Sequence, residues 1–227
     1  MPALLPPPRT GHRLPDPERL TRREDGERLH ALLWRPGPGW RMASSAVLGG
    51  GIGERAWVLN AQVAHGYRRT DPARHLAALA HAAGARGPGV GLMTAADVSA
   101  CARAHDGGAD AVVTAGISVR GWAAAPGDGV PGAAPPGTIN IVAAVPIALS
   151  DAALVNAVMT ATEAKVQALL DAGLDCSGTP TDAVCVAARA PQPGGDAHAF
   201  AGPRSEWGAR LARTVHRAVR SALPAPG

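Results

Sequence analysis

Lys165 stands where a helix should carry only apolar side chains. The segment after Ser150 reads as one long helix ending near Gly173. At about 100° per residue, Leu154, Ala157, Val158, Ala161, Ala164, Ala168 and Leu169 gather on one face, widened by Val155, Met159 and Val166. Lys165 falls near the middle of that arc. An ammonium there must reach a carboxylate, reach a cavity, or run its stem to the edge. A structural ion pair and a site lysine both meet that demand. Glu163 falls on the opposite side with Asn156, Thr160, Gln167 and Asp171. That is the pattern of a solvated face, and Glu163 enters chemistry only if active-site solvent lies there.

The loop after this helix, Cys176-Ser177-Gly178-Thr179-Pro180-Thr181-Asp182, runs straight into a strand. Glycine and small hydroxyls let backbone approach a ligand, and a carboxylate at a strand end projects from a rigid base. Asp182 can act as a general base or hold one; the alternative is a turn in which Ser, Thr and Asp side chains bond local N–H groups. Asn140, inside the apolar strand that starts at Thr138, must satisfy two donors and an acceptor. It either links two strands or faces a substrate amide. Ser44, Ser45 and Asn60 sit similarly within early strands, and Thr94 and Thr114 occur where strands end.

Several chemistries find no motif. There is no HExxH or other convincing metal-ligand spacing, no GxxxxGK[ST] loop for phosphates, and no GxSxG elbow. The eight histidines are scattered, and His65, His75 and His81 read as surface residues or helix padding. Cys101, Cys176 and Cys185 form no CxxC pair and read as reduced, small core residues of a cytoplasmic protein.

The elements that must position these residues follow from period and punctuation. Residues 1–25 are rich in Pro, Arg and acidic groups without sustained period and read as a loosely ordered tail, leaving 26–227 as one domain. Strands are expected around Leu29–Leu33, Met42–Leu48 and Ala56–Val63, with Gly49, Gly50, Gly51 and Gly53 turning between the last two. Asp71-Pro72 starts a helix that Gly84 stops. A strand at Val90–Met93, a helix from about Ala95 to Ala104, and a strand at Ala109–Ile117 come next. A Gly/Pro/Ala loop from Pro126 to Pro136 leads to strand Thr138–Val145 and the long helix. Strand Thr181–Ala188 and helix Glu206–Ala222 close the chain. Hairpin strands followed by strands alternating with helices indicate an α/β (α+β) domain of mixed β-sheets layered with helices. The net charge is +4, with Arg supplying nearly all the positive charge and without the basic, aromatic-interleaved run of a nucleic-acid surface. No apolar stretch reaches the roughly 20 residues of a membrane helix, and no signal-peptide core opens the chain.

Taken together, the motifs resemble a known family. Ser44-Ser45-Ala46 with Gly49-Gly50-Gly51, Asn60 with Val63 and Tyr67, and Gly91-Leu92-Met93-Thr94-Ala95-Ala96 are similar to successive blocks of the adenosylcobinamide amidohydrolases. Thr114-Ala115-Gly116, Gly137-Thr138-Ile139-Asn140-Ile141, Thr160-Ala161-Thr162-Glu163-Ala164-Lys165 and Ser177 to Asp182 continue the series in order, so that the resemblance covers roughly residues 40–220. Two positions depart from it: Pro180 stands where the family usually has Gly, and Ser118-Val119 where an Asn commonly follows.

The resemblance implies hydrolysis of the amide joining aminopropanol to the corrin ring of adenosylcobinamide, giving adenosylcobyric acid in cobalamin salvage. Its partner is a corrinoid small molecule that brings its own cobalt, so no cofactor is expected. Nucleic acid and membrane are not expected partners either, and homo-oligomerisation stays open. A more distant similarity to self-processing aminopeptidases implies an αββα sandwich. Amide hydrolysis needs a nucleophile, an oxyanion stabiliser and a proton for the leaving amine. Under this resemblance Asp182 or Glu163 serves as base for water, and Lys165 and Asn140 as oxyanion donors. Ser44, Ser45, Asn60, Thr94, Thr114, Thr138, Thr179 and Thr181 line the substrate. A direct nucleophile among Ser44, Ser45 and Thr179 is the alternative mechanism. A corrinoid-binding protein without catalysis and a peptidase-like amidase are the alternative functions.

Overall fold

The computed structural model describes residues 16–125 and 137–224; the expected loop from Pro126 to Pro136 and the start of the expected tail lie outside them. The rest of that tail is corrected. Strand β1 (Glu18–Glu24) pairs antiparallel with β2 (Glu27–Trp34), from Glu18↔Leu33 to Glu24↔Glu27. Asp25 and Gly26 join them with φ of 50° and 82°, the two positive values that a two-residue primed hairpin turn requires. The strand's period is masked because β1 is a sheet edge, where charged side chains discourage further pairing.

Strands β3 (Trp40–Ser44), β4 (Gly51–Glu54) and β5 (Trp57–Gln62) follow. The glycine run therefore holds a short strand as well as a turn. Helix α1 (Pro72–Ala82) begins as expected, although Asp71 caps no N–H with its side chain and is gripped by Arg69 instead. β6 (Gly89–Thr94) then pairs parallel with β5. The helix expected over Ala95–Ala104 is not formed. Asp97 accepts from Ser99 N and Ser99 Oγ, closing a single 3₁₀ turn at Val98–Ala100 in competition with a helix. The chain continues as β7 (Ala102–Asp106), which turns at Gly107-Gly108 into β8 (Ala109–Gly116). β9 (Thr138–Ala148), α2 (Asp151–Asp171), β10 (Ala183–Arg189) and α3 (Glu206–Ala222) complete the order. Ser150 and Ser205 cap the two long helices by accepting from Ala153 N and Gly208 N.

Two mixed sheets result, ordered β1-β2-β5-β6 and β4-β3-β10-β9-β8-β7. α1 covers one outer face, packing Leu76 and Ala80 on Leu33, Trp57 and Leu59. α2 and α3 cover the other, over Val113, Ile139, Ile141 and Val186. Between the sheets lies a third core that includes Trp34, Trp40, Met42, Leu92, Val142 and Cys185. The layering is thus helix, sheet, sheet, helices, the αββα arrangement. Each sheet contains one parallel crossover, β5-α1-β6 and β9-α2-β10, and these aim the ends of β6, β9 and β10 at a common site.

α2 keeps the expected apolar face, with one revision. Val155 and Met159 are exposed rather than part of the core, while Thr160 on the polar side is buried and donates to Ala201 O. The three cysteines carry free thiols; burial pushes that of Cys185 up to about 12. Among the described residues no helix is long and apolar enough to cross a membrane.

Candidate active site

Lys165 is 7% exposed, and its Nζ lies 2.5 Å from Asp182 Oδ2. The helix anomaly thus resolves into an ion pair between α2 and the residue just before β10. Asp182 has further donors. Ile139 N reaches Oδ1 at 2.8 Å, Thr179 N reaches Oδ2 at 3.2 Å, and Thr179 Oγ1 stands 2.5 Å from Oδ1. A carboxylate offers about four lone-pair sites, so these contacts occupy it nearly fully. The Thr179 hydroxyl, however, has one proton and two acceptors, because Gly137 O is 2.7 Å away. The close approach of loop, lysine and carboxylate is made at Gly178, where a Cβ would stand 2.5 Å from Lys165 Nζ and overlap Asp182 Oδ2. That leaves Pro180 free to occupy the exposed turn two residues later.

Asp182 opens on a cleft of about 420 Å³ between the two sheets. Thr138, Thr181 and Ser45 line it from one side and Thr94 from the other, among Val47, Val63, Leu92, Met93 and Ala95. Ser45 Oγ accepts from Val184 N and Thr94 Oγ1 from Ala96 N, so both retain a hydroxyl proton to donate. Thr138 and Thr181 bond each other at 2.6 Å, and Thr181 also donates to Gly137 O.

The other expected site residues lie elsewhere. Ser44 donates to Val184 O and does not line the cleft. Asn60, Thr114 and Asn140 form a buried chain beneath it: Asn140 Nδ2 donates to Asn60 Oδ1 at 2.8 Å and to Met93 O, and Asn60 Nδ2 donates to Thr114 Oγ1 at 3.0 Å. Asn140 therefore links the sheets, the first of the two roles its position allowed. Its own oxygen is buried without a partner among the described residues. Glu163 is not brought to Asp182. It is exposed and lines a groove against α3 with Gln167, Arg213 and His216, since α2 turns its Lys165 face inward and its Glu163 face out. Among the described residues, no three His, Cys, Asp or Glu side chains converge as metal ligands.

Two cleft residues were given no site role by the sequence: His65, which is exposed as expected, and Tyr67. Of the two readings given to His75, surface or helix padding, the second holds: it lies in α1 and is 4% exposed. His75 Nδ1 meets the Tyr67 hydroxyl at 3.1 Å, and its Nε2 meets Glu24 Oε1 at 3.0 Å. Burial lowers the His75 pKa below its ordinary value, partly opposed by Glu24. The available signals were Tyr67 standing in the motif block with Asn60 and Val63, and Tyr67 and His75 lying on either side of a helix start.

Such an arrangement, a paired carboxylate under a mostly apolar cleft rimmed by hydroxyl donors, can hold a neutral acyl group and move a proton beside it. A family model described as adenosylcobinamide amidohydrolase matches residues 15–226. An adenosylcobinamide amidohydrolase of Methanosarcina mazei is 30% identical over 191 residues, which span 82% of this chain and 91% of that relative. A protein of the same name from Halobacterium salinarum is 47% identical over 90 residues, 40% of this chain and 37% of that relative.

Proposed function

The chain belongs to the adenosylcobinamide amidohydrolase family, and from that membership we propose that it hydrolyses the amide joining aminopropanol to the corrin ring of adenosylcobinamide. The products are adenosylcobyric acid and the free amine, a salvage step of cobalamin synthesis carried out in the cytoplasm. Cobalt arrives with the substrate, and the protein is assigned no cofactor of its own, no nucleic acid and no membrane. A cleft of about 420 Å³ suits a side arm rather than a macrocycle, so the corrin ring rests across its mouth.

The observation that carries this reading is the Lys165–Asp182 pair, 2.5 Å apart, at a cleft lined by hydroxyls. Asp182 takes the proton of an attacking water once the Thr179 hydroxyl turns toward Gly137 O and frees a lone pair on Oδ1. As the C–O bond forms, charge moves onto the carbonyl oxygen, where Ser45 and Thr94 donate their spare hydroxyl protons. The proton on Asp182 then passes to nitrogen as the C–N bond breaks, leaving acid and amine. Lys165 holds the carboxylate in place throughout. The oxyanion role thus moves from Lys165 and Asn140 to Ser45 and Thr94, because both Asn140 donors are spent within the core.

Mass-spectrometric analysis of adenosylcobinamide incubated with the full chain tests the proposal. Released 1-aminopropan-2-ol, equimolar with adenosylcobyric acid, is the expected result. Tight corrinoid binding with no released amine would make the protein a carrier and overturn it.

A further inference from the structure

We infer that Tyr67 is a fixed hydrogen-bond acceptor on the cleft wall, held in that polarity by His75 and Glu24, which receives an N–H or O–H of the substrate's amide arm. The inference rests on the cleft being the substrate site, as proposed above, and adds a residue that recognises the arm's donor end.

The proton positions follow from the chain of contacts. Glu24 as a carboxylate only accepts, and its Oε1 lies 3.0 Å from His75 Nε2, so that nitrogen carries the hydrogen. Arg22 Nε holds the other oxygen, Oε2, at 2.7 Å and prevents the carboxylate from turning away. In a neutral ring Nδ1 is then a bare lone pair, and the group 3.1 Å from it is the Tyr67 hydroxyl. Tyr67 must donate there. Its single proton faces away from ligand, and what it offers a ligand is oxygen lone pairs. The stacked rings, 5.7 Å apart and 10° from parallel, hold this geometry. Burial raises the Tyr67 pKa and lowers that of His75, both favouring the neutral forms this pattern needs. Ser45 and Thr94 present donors to the same cleft. A secondary amide has one acceptor and one donor, and the cleft offers a complement to each.

Protonating His75 reverses the polarity. Nδ1–H then donates to the Tyr67 oxygen, and the phenolic proton turns outward, where a substrate donor meets another donor. The charged groups around His75 are Glu24 and Arg22 from β1, and Arg69 and Asp71 beside the helix start; Glu24 and Asp71 favour the protonated ring, while Arg22 and Arg69 oppose it.

Steady-state hydrolysis by the full chain and direct titration of adenosylcobinamide binding, followed by corrinoid absorbance, test this together. Near pH 8, Tyr67→Phe is expected to weaken binding and raise KM about tenfold, with kcat within about twofold. In wild type, affinity falls as the pH drops through the titration range of His75, which burial places on the acid side of an ordinary imidazole. His75→Asn, which keeps an acceptor near the Nδ1 position but does not titrate, retains the alkaline affinity and flattens that acid loss. Unchanged binding by Tyr67→Phe overturns the inference, as does a collapse of kcat at constant affinity or an acid loss that persists in His75→Asn. A wild type that binds but releases no amine sinks the hydrolase reading, while the titration still decides the role of Tyr67.

Discussion

On the wall built by the six-stranded sheet and α2, Asp182 is met by an ammonium, two backbone N–H groups and a hydroxyl. On the wall built by the four-stranded sheet and α1, Glu24 reaches the cleft only through His75 and Tyr67. Both carboxylates are anchored by a cation, Lys165 in one case and Arg22 in the other. The first wall has no imidazole among the contacts of its carboxylate, which faces the cleft directly. The second contains an imidazole, so the polarity of its outermost group can be reset. Dense contact gives one wall a fixed field; a linear chain of contacts gives the other an adjustable one.

Breaking the dense wall should have the larger effects. Lys165→Met leaves Asp182 without its ammonium at a site 12% exposed. The loss is expected to be about 3–5 kcal/mol of stability, with turnover down at least about 100-fold, read by denaturant unfolding and product release. A folded variant with ordinary turnover would remove the pair from the mechanism. Gly178→Ala places a Cβ against both members of the pair. It should cost about 1–3 kcal/mol and slow turnover by roughly 10- to 100-fold through misplacement alone; a neutral outcome would show that the loop has room the structure denies it.

The adjustable wall should show itself in pH dependence. An unfolded imidazole titrates near 6.5, and burial lowers the folded value of His75. The unfolded chain therefore binds more protons as pH falls, so stability present above about pH 6.5 is lost as the pH drops through the folded value. Thermal unfolding between about pH 7 and pH 5 should fall more steeply for wild type than for His75→Asn, and equal slopes would refute the contribution. The smallest effect is expected outside both walls: Glu163→Gln, on the α3 groove, should leave turnover within about twofold and stability within about 0.5 kcal/mol. A large loss of turnover there would bring the exposed face of α2 back into the chemistry.

Much of this was legible in the residues because it is local. α2 and α3 have capping serines and regular periods, and the strands at 89–94, 109–116 and 138–148 are apolar runs bounded by turns. Lys165 could be singled out because a helical wheel exposes a charge among alanines. The same wheel gives direction about an axis but not what covers a face. It could not tell that Thr160 is buried under Ala201 while Val155 and Met159 are bare. β1 escaped notice because an edge strand need not alternate, although Asp25-Gly26 was a readable hairpin signal. The partner of His75 could not be read, because nothing within its helix announces a carboxylate on another strand.

From the order of its residues alone, the chain's layered class, its principal elements, its family and the need of Lys165 for a partner could be stated, since period, capping and motif order act over a few residues at a time. The assignment of partners belonged to the tertiary structure. Asp182 rather than Glu163 answers Lys165, Asn60 accepts from the Asn140 amide, and Glu24 answers His75. Each of those pairs joins different elements, and a buried polar group selects whatever acceptor or donor the packed layers bring within about 3 Å, a choice made only once the sheets and helices have closed on one another.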